Sequence, residues 1–250
     1  MLVVLFSAIV IGICLGLFGS GGSILTVPVL LYLLNFPPQQ AIASSLLIVA
    51  LISLCISIPN LRQQLISWRH VIWFGIPGML GTYGGAWVGT LADSRWQLLS
   101  FSLLMLTAAI MMWQAKTTAN PAIPAASKLR ITADGLVVGL LTGFVGVGGG
   151  FLIVPALVLL GGLSLQAGIA TSLIIITLKS LSGFAGYYNA MSANLSSFNW
   201  PVIATMVLAG VAGSYVGCRL GQKLPRQKLQ RSFAIFLVIM ALIVISQSVI

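Results

Sequence analysis

A glycine-rich stretch, Gly16-Leu-Phe-Gly-Ser-Gly-Gly-Ser-Ile-Leu-Thr-Val-Pro-Val-Leu30, occurs twice in the chain, the second time as Gly143-Phe-Val-Gly-Val-Gly-Gly-Gly-Phe-Leu-Ile-Val-Pro-Ala-Leu157. The glycines, the Val-Pro pair and the closing leucine coincide at a single offset. At the same offset, Ala43-Ser44-Ser45-Leu46 matches Ala170-Thr171-Ser172-Leu173. Chance similarity between apolar segments gives scattered leucine and valine and does not align glycine and proline in order. The chain is therefore predicted to be an internal duplication.

The match resumes after a small insertion and continues through each half. Trp68 aligns with Trp200, and Gly78-Met-Leu-Gly81-Thr-Tyr83-Gly-Gly85 aligns with Gly210-Val-Ala-Gly213-Ser-Tyr215-Val-Gly217. A polar stretch with prolines and basic residues separates the halves. The predicted domains are a first membrane repeat over 1–114, a linker over 115–131 and a second membrane repeat over 132–250.

The composition places the chain in a membrane. Of its 250 residues, 59% are hydrophobic and 6% are charged, whereas an ordinary soluble domain is about 25% charged. The apolar segments approach or reach the roughly 20 residues that a helix needs to cross the hydrocarbon core, and they lack the alternation of barrel strands. We predict an all-α, polytopic membrane helix bundle. Its apolar segments are 2–18, 23–35, 40–58, 70–90 and 98–114 in the first half and 133–146, 150–162, 165–188, 200–221 and 231–249 in the second.

The positions of basic residues predict how the halves are oriented. If each half crosses the membrane an odd number of times, almost all Lys and Arg fall on one side and Arg95 falls on the other. With an even number, this bias disappears. Because basic loops stay in the cytoplasm, we predict two inverted-topology repeats, a cytoplasmic linker and both termini on the far side. The second segment of each half is short, about 20 Å of helix, so the first two segments form either two crossings or a re-entrant hairpin.

Two glycine breaks interrupt the segments at equivalent places and are candidate substrate sites. Glycine permits a tight turn and leaves backbone N–H groups uncovered at a helix start, where the helix dipole favours anions. Broken helices of inverted-repeat transporters direct such ends at the substrate near the midplane, and we expect the two breaks to converge there. Alternatively, the glycines only form tight turns and let helices pack closely. The candidate residues are Gly19, Ser20, Gly21, Gly22 and Ser23 in the first break and Gly146, Gly148, Gly149 and Gly150 in the second.

Four hydroxyl groups in the third segments are further candidates. Ser44 and Ser45 match Thr171 and Ser172. Each hydroxyl either donates to a substrate oxyanion or bonds to the preceding turn of its own helix, and both interpretations stay open.

Lys179 is the one basic residue placed well inside an apolar segment. A charge at that depth is costly and usually functional, which favours a role at the substrate or along its pathway. The alternative is that the side chain extends towards an interface. Its counterpart in the first half is Ile52, so only the second half supplies this charge.

Acidic and metal-binding residues are scarce. The chain has two acids, Asp93 and Asp134, and a single histidine, His70, at a segment boundary. Its three cysteines are dispersed, without the spacing of metal ligands. Because no reactive constellation is present, we expect no enzyme activity, no cofactor and no metal. The net charge of +10 lies mostly in the loops, which indicates membrane topology and no nucleic-acid partner.

The two glycine breaks leading into Val27-Pro28 and Val154-Pro155, with the Ala-Ser-Ser-Leu and Ala-Thr-Ser-Leu segments, resemble the TauE/SafE sulfite exporter family over nearly the whole chain. The resemblance implies a protein of the bacterial inner membrane that moves sulfite, sulfonates such as sulfoacetate, or related sulfur anions. In such a membrane, the far side, on which the basic residues predict both termini, is the periplasm. Ser23 stands where the second copy has Gly150, so the first break is expected to contribute differently to a site.

The leading hypothesis is a secondary transporter or exporter of a small sulfur-containing anion, with its site between the halves. Two alternatives stay open, an anion channel built from the same residues and a membrane assembly or sensor subunit that does not transport. The expected partners are the anionic substrate and the lipid bilayer, and a homo-oligomer is possible.

Overall fold

The computed structural model describes residues 2–19, 21–62, 64–114, 127–146, 150–190, 198–223 and 225–249. Within these ranges the chain is almost wholly helical. The helices are α1 (Leu2–Phe18), α2 (Gly21–Pro28), α3 (Pro38–Arg62), α4 (Trp68–His70), α5 (Ile76–Leu91), α6 (Ser94–Gln114), α7 (Lys128–Val145), α8 (Gly150–Pro155), α9 (Leu165–Ala190), α10 (Trp200–Lys223) and α11 (Arg226–Val249). Three π-helical turns continue α2, α4 and α8, and they are Val29–Leu33, Val71–Gly75 and Ala156–Leu160.

Every predicted apolar segment is largely helical, and the exposed faces of the helices are apolar, as expected for helices that contact lipid. Exposed faces carry large apolar side chains such as Leu80, Leu103 and Leu208. The prediction of an all-α, polytopic membrane helix bundle is confirmed. In the described part of the chain, five helices are long and apolar enough to cross a membrane, namely Pro38–Leu61, Trp96–Gln114, Leu165–Ala190, Trp200–Gly221 and Gln227–Ser246.

Three helices, α6, α7 and α11, begin at Ser94, Lys128 and Arg226, four or five residues before the predicted segments 98–114, 133–146 and 231–249. α7 starts at Lys128, inside the predicted linker 115–131, because the Ser127 hydroxyl caps it by accepting a hydrogen bond from the Arg130 N–H at 3.3 Å. The linker residues 115–126 lie outside the described residues. The division into repeats over 1–114 and 132–250 stays a prediction.

The Val-Pro motif produces the same local structure in both repeats. Pro28 and Pro155 each end an α-helical stretch, and a π-helical turn follows. Proline has no N–H to donate, and its ring displaces the carbonyl four residues earlier. A wider turn accommodates that mismatch. The duplication therefore extends to the backbone hydrogen bonds.

The two halves are interleaved, since the first helix of each half packs along the fourth helix of the other. α1 lies beside α10, and α7 lies beside α5. Glycine brings the backbones of each pair together, because a Cβ at Gly12 would strike the Gly210 carbonyl and one at Gly139 would strike the Gly78 carbonyl. Small residues allow this close approach in membranes. Each half therefore depends on the other for its tightest helix contacts.

The third helices of the two halves, α3 and α9, run antiparallel. A Cβ at Gly183 would lie 3.3 Å from the Leu46 side chain, while Ile56 and Leu173 line one cavity. Residue numbers therefore rise along α3 as they fall along α9.

The fifth helices, α6 and α11, are also antiparallel. The Gln230 amide near the start of α11 donates to the Met112 carbonyl near the end of α6 at 2.6 Å. Equivalent helices that point in opposite directions require an approximate twofold axis in the membrane plane. The inverted-topology prediction is confirmed.

α2 crosses the bundle and is not part of a re-entrant hairpin. Gly19, which precedes it, lies against Ile169, and Ile169 lines one cavity together with Asn60 near the end of α3. The residues after α2 lead to Pro38, at the other end of α3. The two ends of α3 are about 37 Å apart at 1.5 Å per residue. Within the described residues, each half therefore runs along the bundle five times, an odd number.

Most basic residues lie at one end of the bundle, called the basic end from here on. α3 and α10 end there, and α7 and α11 begin there, whereas Arg95 lies at the opposite end with the start of α1 and the end of α11. The positions at or near the basic end are Arg62, Arg69, Lys128, Arg130, Arg219, Lys223, Arg226, Lys228 and Arg231.

Candidate substrate site

Gly19 and Gly146 make equivalent left-handed turns between the first and second helices of their halves. Their φ angles are 69° and 74°, a region that glycine enters freely and other residues rarely. The Gly146 N–H closes the end of α7 by donating to the Thr142 and Gly143 carbonyls at 3.0 and 3.1 Å. The turn itself therefore requires glycine. The predicted site residues Ser20, Gly148 and Gly149 lie outside the described residues.

The two breaks do not converge, so that expectation was wrong. Gly19 lies against Ile169 near the start of α9, whereas Gly146 lies beside the Tyr187 hydroxyl near its end. Ile169 and Tyr187 are about 27 Å apart along α9 at 1.5 Å per residue. The inversion is the reason, because the twofold axis passes through the middle of the α3 and α9 pair and exchanges the ends of the bundle. Gly19 therefore belongs to the basic end and Gly146 to the opposite end.

Three further residues of the breaks, Gly22, Ser23 and Gly150, are packed inside the bundle. Gly21 begins α2, and a Cβ at Gly22 would lie 2.5 Å from the Leu15 Cβ. Ser23 has no exposed surface, and Gly150, at the start of α8, is buried. The contact at Gly22 is the close helix packing that the alternative interpretation expects.

Ser45 and Ser172 bond to their own helices. The Ser45 hydroxyl donates to the Ile42 carbonyl at 2.7 Å and also lies 3.4 Å from the Gly146 carbonyl. The Ser172 hydroxyl donates to the Ile169 carbonyl at 2.8 Å. For this pair, the structure shows the local hydrogen bond, which occupies the hydroxyl proton.

Ser44 and Thr171 occupy equivalent positions in different surroundings. The Thr171 hydroxyl accepts a hydrogen bond from the Ser67 N–H at 3.0 Å. The Ser44 hydroxyl is buried without a hydrogen-bond partner. Ser44 is therefore the one of the four predicted hydroxyls that makes no hydrogen bond in the structure, while the Thr171 hydroxyl accepts one and keeps its own proton to donate.

Lys179 is fully buried in the middle of α9. Its Nζ has no hydrogen-bond partner and lies 5.1 Å from the centroid of the Phe74 ring, whose face attracts a cation. The side chain runs over Gly78, where a Cβ would lie 2.7 Å from Cε. Because the residue has no exposed surface, its ammonium group does not extend to an interface.

Two further hydroxyls, Ser53 and Ser180, were missed by the sequence reasoning. They directly follow Ile52 and Lys179 and are equivalent in the two repeats. Both are fully buried, and neither hydroxyl has a hydrogen-bond partner. Buried polar atoms without a partner are rare and call for an explanation. The offset that aligns Ser44 with Thr171 also aligns this pair and was the signal that could have found it.

A cavity of about 560 Å³ opens at the basic end between α1, α3, α9 and α10. Gly16 lines it, one turn before the first glycine break. A space of this size fits a small ligand, for which a few polar groups on an apolar wall provide orientation. The polar side chains of its lining are Asn60, Gln166, Ser214, Tyr215, Cys218 and Arg219. Sequence reasoning did not select any of them.

The cavity points towards the buried hydroxyls. Leu173 and Ile56 lie in its lining. Ser180 follows Leu173 by two helical turns on the same face of α9, about 10 Å deeper. Ser53 precedes Ile56 by nearly one turn on α3. The unpartnered hydroxyls are therefore on the helix faces that continue the cavity, with Lys179 on the neighbouring face of α9.

Metal ligands do not cluster. Within the described ranges, no group of three His, Cys, Asp or Glu side chains could hold a metal ion. His70 pairs its Nδ1 with the Ser67 hydroxyl at 2.8 Å, at the start of the fourth segment.

Comparison with known proteins agrees with this membrane architecture. The family model described as Sulfite exporter TauE/SafE matches residues 4–244. The chain belongs to the TauE/SafE family. Among its TauE/SafE-like relatives, a probable membrane transporter protein of Xylella fastidiosa (strain Temecula1 / ATCC 700964) is 31% identical, over 99% of this chain and 96% of the relative. The probable membrane transporter protein YunE of Bacillus subtilis (strain 168) is 28% identical, over 95% of this chain and 94% of the relative. No solved structure matches the chain.

Membership in the TauE/SafE family makes this chain a multi-pass membrane protein of a transporter family. The relatives' names state transport and no reaction. The inverted TauE/SafE bundle described above is consistent with that role, since sites of such transporters lie between the repeats near the bilayer midplane.

Proposed function

We propose that the chain is a secondary transporter that exports a small sulfur-containing anion, such as sulfite or a sulfonate. The observation that supports this most directly is the Lys179 ammonium group, buried in the middle of the bundle without a hydrogen-bond partner. A charge in that place is costly and marks a functional site. An anionic substrate would balance it.

Sulfite and sulfonate groups suit the side chains around this position. Each presents oxygens that accept hydrogen bonds, while a lysine ammonium offers three donors and a serine hydroxyl offers one. Hydrogen bonds from a cation to an oxyanion are stronger than neutral ones. The proposed substrate contacts are therefore Lys179, Ser180 and Ser53. Ser44, which also has no hydrogen-bond partner, lies about 13 Å from Ser53 along α3 and would donate at a separate point nearer the opposite end.

The route from the basic end would pass the cavity. Arg219 lies in its lining and is exposed, so it attracts anions into the opening. Gly16 and Gly19 border the same end, where the start of α2 adds backbone N–H groups. In this proposal, the first glycine break lines the entry route and the second, at Gly146, lines the exit route.

The charge balance favours export without a coupling cation. The two acids of the chain, Asp93 and Asp134, lie in neither α3 nor α9, where a proton or cation would be coupled to the substrate. A membrane potential of about 100 mV, negative inside, favours anion exit by about 2.3 kcal/mol per charge.

The proposed location is the bacterial inner membrane, with the basic end in the cytoplasm and both termini in the periplasm. Alkaline phosphatase, which is active only in the periplasm, is to be fused after Val249 and, separately, after Gln114. We expect activity from the first fusion and none from the second. The reverse result would contradict the orientation.

The transport proposal is tested in proteoliposomes by efflux of labelled sulfite and sulfoacetate. We expect Lys179→Met to lower the flux at least tenfold and Lys179→Arg to keep part of it. Lys223→Gln, at the exposed end of α10, removes a charge outside the site and should leave flux unchanged. Unaltered efflux from a folded Lys179→Met variant would remove Lys179 from the site.

The alternatives give different results in the same vesicles. A carrier shows counterflow, in which unlabelled anion inside drives uptake of labelled anion, whereas an open channel does not. A sensor or assembly subunit would show no flux of any sulfur anion.

A further inference from the structure

The two ends of the inverted bundle contain equivalent positions but differ in shape. At the basic end, Asn60 and Cys218 line the open cavity. In the repeat register established above, their counterparts at the opposite end are Tyr187 and Ala86. These two residues have no exposed surface. Within the described structure, the space at the basic end is open and its equivalent is filled.

A small polar network closes the opposite end. The Gln97 amide donates to the Gly89 carbonyl at 2.7 Å and to the Phe144 carbonyl at 2.9 Å. Its nitrogen lies 3.1 Å from the Tyr187 hydroxyl, which donates to the Phe144 carbonyl at 3.2 Å. These residues belong to α5, α6, α7 and α9. The network therefore joins four helices, two from the first half and two from the second.

Close packing at glycine fills the same place. A Cβ at Gly186 would lie 2.9 Å from the Ala86 Cβ, and one at Gly183 would lie 3.0 Å from the Thr82 Cγ2. The counterparts of these two glycines line the open cavity, and they are Pro59 and Ile56.

The closing network has no equivalent among the described residues of the basic end. The counterpart of Gln97 is Leu229, because Ser100-Phe101 aligns with Ser232-Phe233. Leucine has no amide to donate. Asn60, the counterpart of Tyr187, donates to the Ile56 carbonyl of its own helix at 3.3 Å and bridges no other helix.

We infer that Tyr187 and Gln97 form a gate that seals the opposite end while the basic end is open, and that each transport cycle breaks it. Inverted repeats supply the second state, because exchanging the conformations of the halves closes one end and opens the other. This inference rests on the proposed transport function and adds its mechanism, a carrier with one open end and not a continuous channel.

The test measures water access at one matched pair of positions in the purified, full-length protein. Cys14→Ala and Cys55→Ala leave Cys218 as the only thiol, at the open end. A second protein has Cys218→Ala as well and receives Ala86→Cys, the equivalent position at the closed end. Both are labelled with a hydrophilic maleimide and the rates are compared by mass spectrometry.

With the gate intact, we expect Cys218 to react at least ten times faster than the thiol introduced by Ala86→Cys. Tyr187→Phe together with Gln97→Leu removes the network, and Gln97→Leu installs the residue found at the basic end. These changes should raise labelling at position 86 at least tenfold and slow that of Cys218. Tyr188→Phe with Gln114→Leu, the same exchanges on the same helices outside the network, should change neither rate.

A second experiment does not depend on the gate variant folding. Gly186→Cys combined with Ala86→Cys, in the background lacking native cysteines, brings two Cβ atoms to 2.9 Å. A disulfide spans about 3.5–4.5 Å between its Cβ atoms, so a shift of roughly 1 Å between α5 and α9 lets oxidation join the two helices. We expect the disulfide to lower the rate of counterflow at least tenfold and a reductant to restore that rate.

The outcomes separate this inference from the proposed function. Equal labelling at both positions, no response to loss of the network, or full counterflow with the disulfide formed would each overturn the gate. Labelling needs no substrate, so a gate that behaves as expected in a protein without sulfur-anion flux would overturn the substrate proposal alone.

Discussion

Lys179 and Ile52 occupy equivalent positions of the inverted repeats, and each packs against the equivalent glycine of the other half. Lys179 runs over Gly78, and the Ile52 side chain covers Gly210. Two helix contacts of the same kind therefore hold a charged side chain in one case and an apolar one in the other. The duplicated sequence therefore contains this side chain–glycine contact twice, and only the second half places a charged side chain in it.

Lys179→Met is expected to stabilise the protein while it lowers transport at least tenfold. The ammonium group has no hydrogen-bond partner, so its removal breaks no bond and relieves the cost of burying a charge. An apolar side chain already fills the equivalent position at Ile52. We expect the free energy of unfolding to rise by about 1–3 kcal/mol, measured as a higher Tm in detergent. A clearly lower Tm would show that the ammonium group is paired in the membrane.

Gly78→Ala and Gly139→Ala should separate function from stability within one helix contact. The new methyl group at Gly78 meets the flexible Lys179 chain at 2.7 Å, and the Gly135 carbonyl at 3.1 Å, so it displaces the lysine. The one at Gly139 meets the rigid Gly78 backbone. We expect Gly139→Ala to lower the free energy of unfolding by about 1–3 kcal/mol, and Gly78→Ala to cost less but to reduce flux severalfold. Equal losses of Tm and flux in both variants would mean that Gly78 only packs.

Ser53→Ala and Ser180→Ala test the unpartnered hydroxyls. Neither hydroxyl makes a hydrogen bond, so its removal breaks no bond and relieves the cost of burying a polar group, and we expect Tm to stay the same or to rise. A lost hydrogen bond to a charged ligand is worth about 1.5 kcal/mol, or roughly tenfold in affinity, and KM for the anion should rise by that factor in each variant. Ser57→Ala serves as the control, since that hydroxyl bonds to the Leu54 carbonyl of its own helix. A KM that does not move in either variant would place the substrate elsewhere.

Gly146→Ala should destabilise the turn at the second glycine break for two separable reasons. A left-handed conformation costs a residue with a Cβ about 1–2 kcal/mol, and the new methyl group would strike the Ile42 side chain. Adding Ile42→Ala removes the clash and leaves the conformational cost. We therefore expect the double variant to lose less stability than the sum of the single variants, measured by chemical unfolding. If the stability losses of the two single variants add up to that of the double variant, the Ile42 side chain does not clash with the new methyl group at this turn.

Local features could be predicted because their causes are local. The glycine turns at Gly19 and Gly146 follow from a conformation that other residues avoid, and the apolar segments follow from the length of the hydrocarbon core. The inverted orientation followed from the parity of the basic loops. The early start of α7 was missed because the Ser127 cap lies in a stretch that is polar overall.

The sequence by itself determined that this chain is a duplicated, inverted bundle of membrane helices with glycine turns and one deeply placed lysine, since these depend on the repeat, on hydropathy and on the preferences of single residues. Tertiary structure alone decided that Gly19 and Gly146 lie at opposite ends, that Ser53 and Ser180 have no partner, and that Tyr187 and Gln97 join α5, α6, α7 and α9 at one end. Those facts depend on contacts between residues far apart in the chain, where the fit of one half against the other sets which side chains meet.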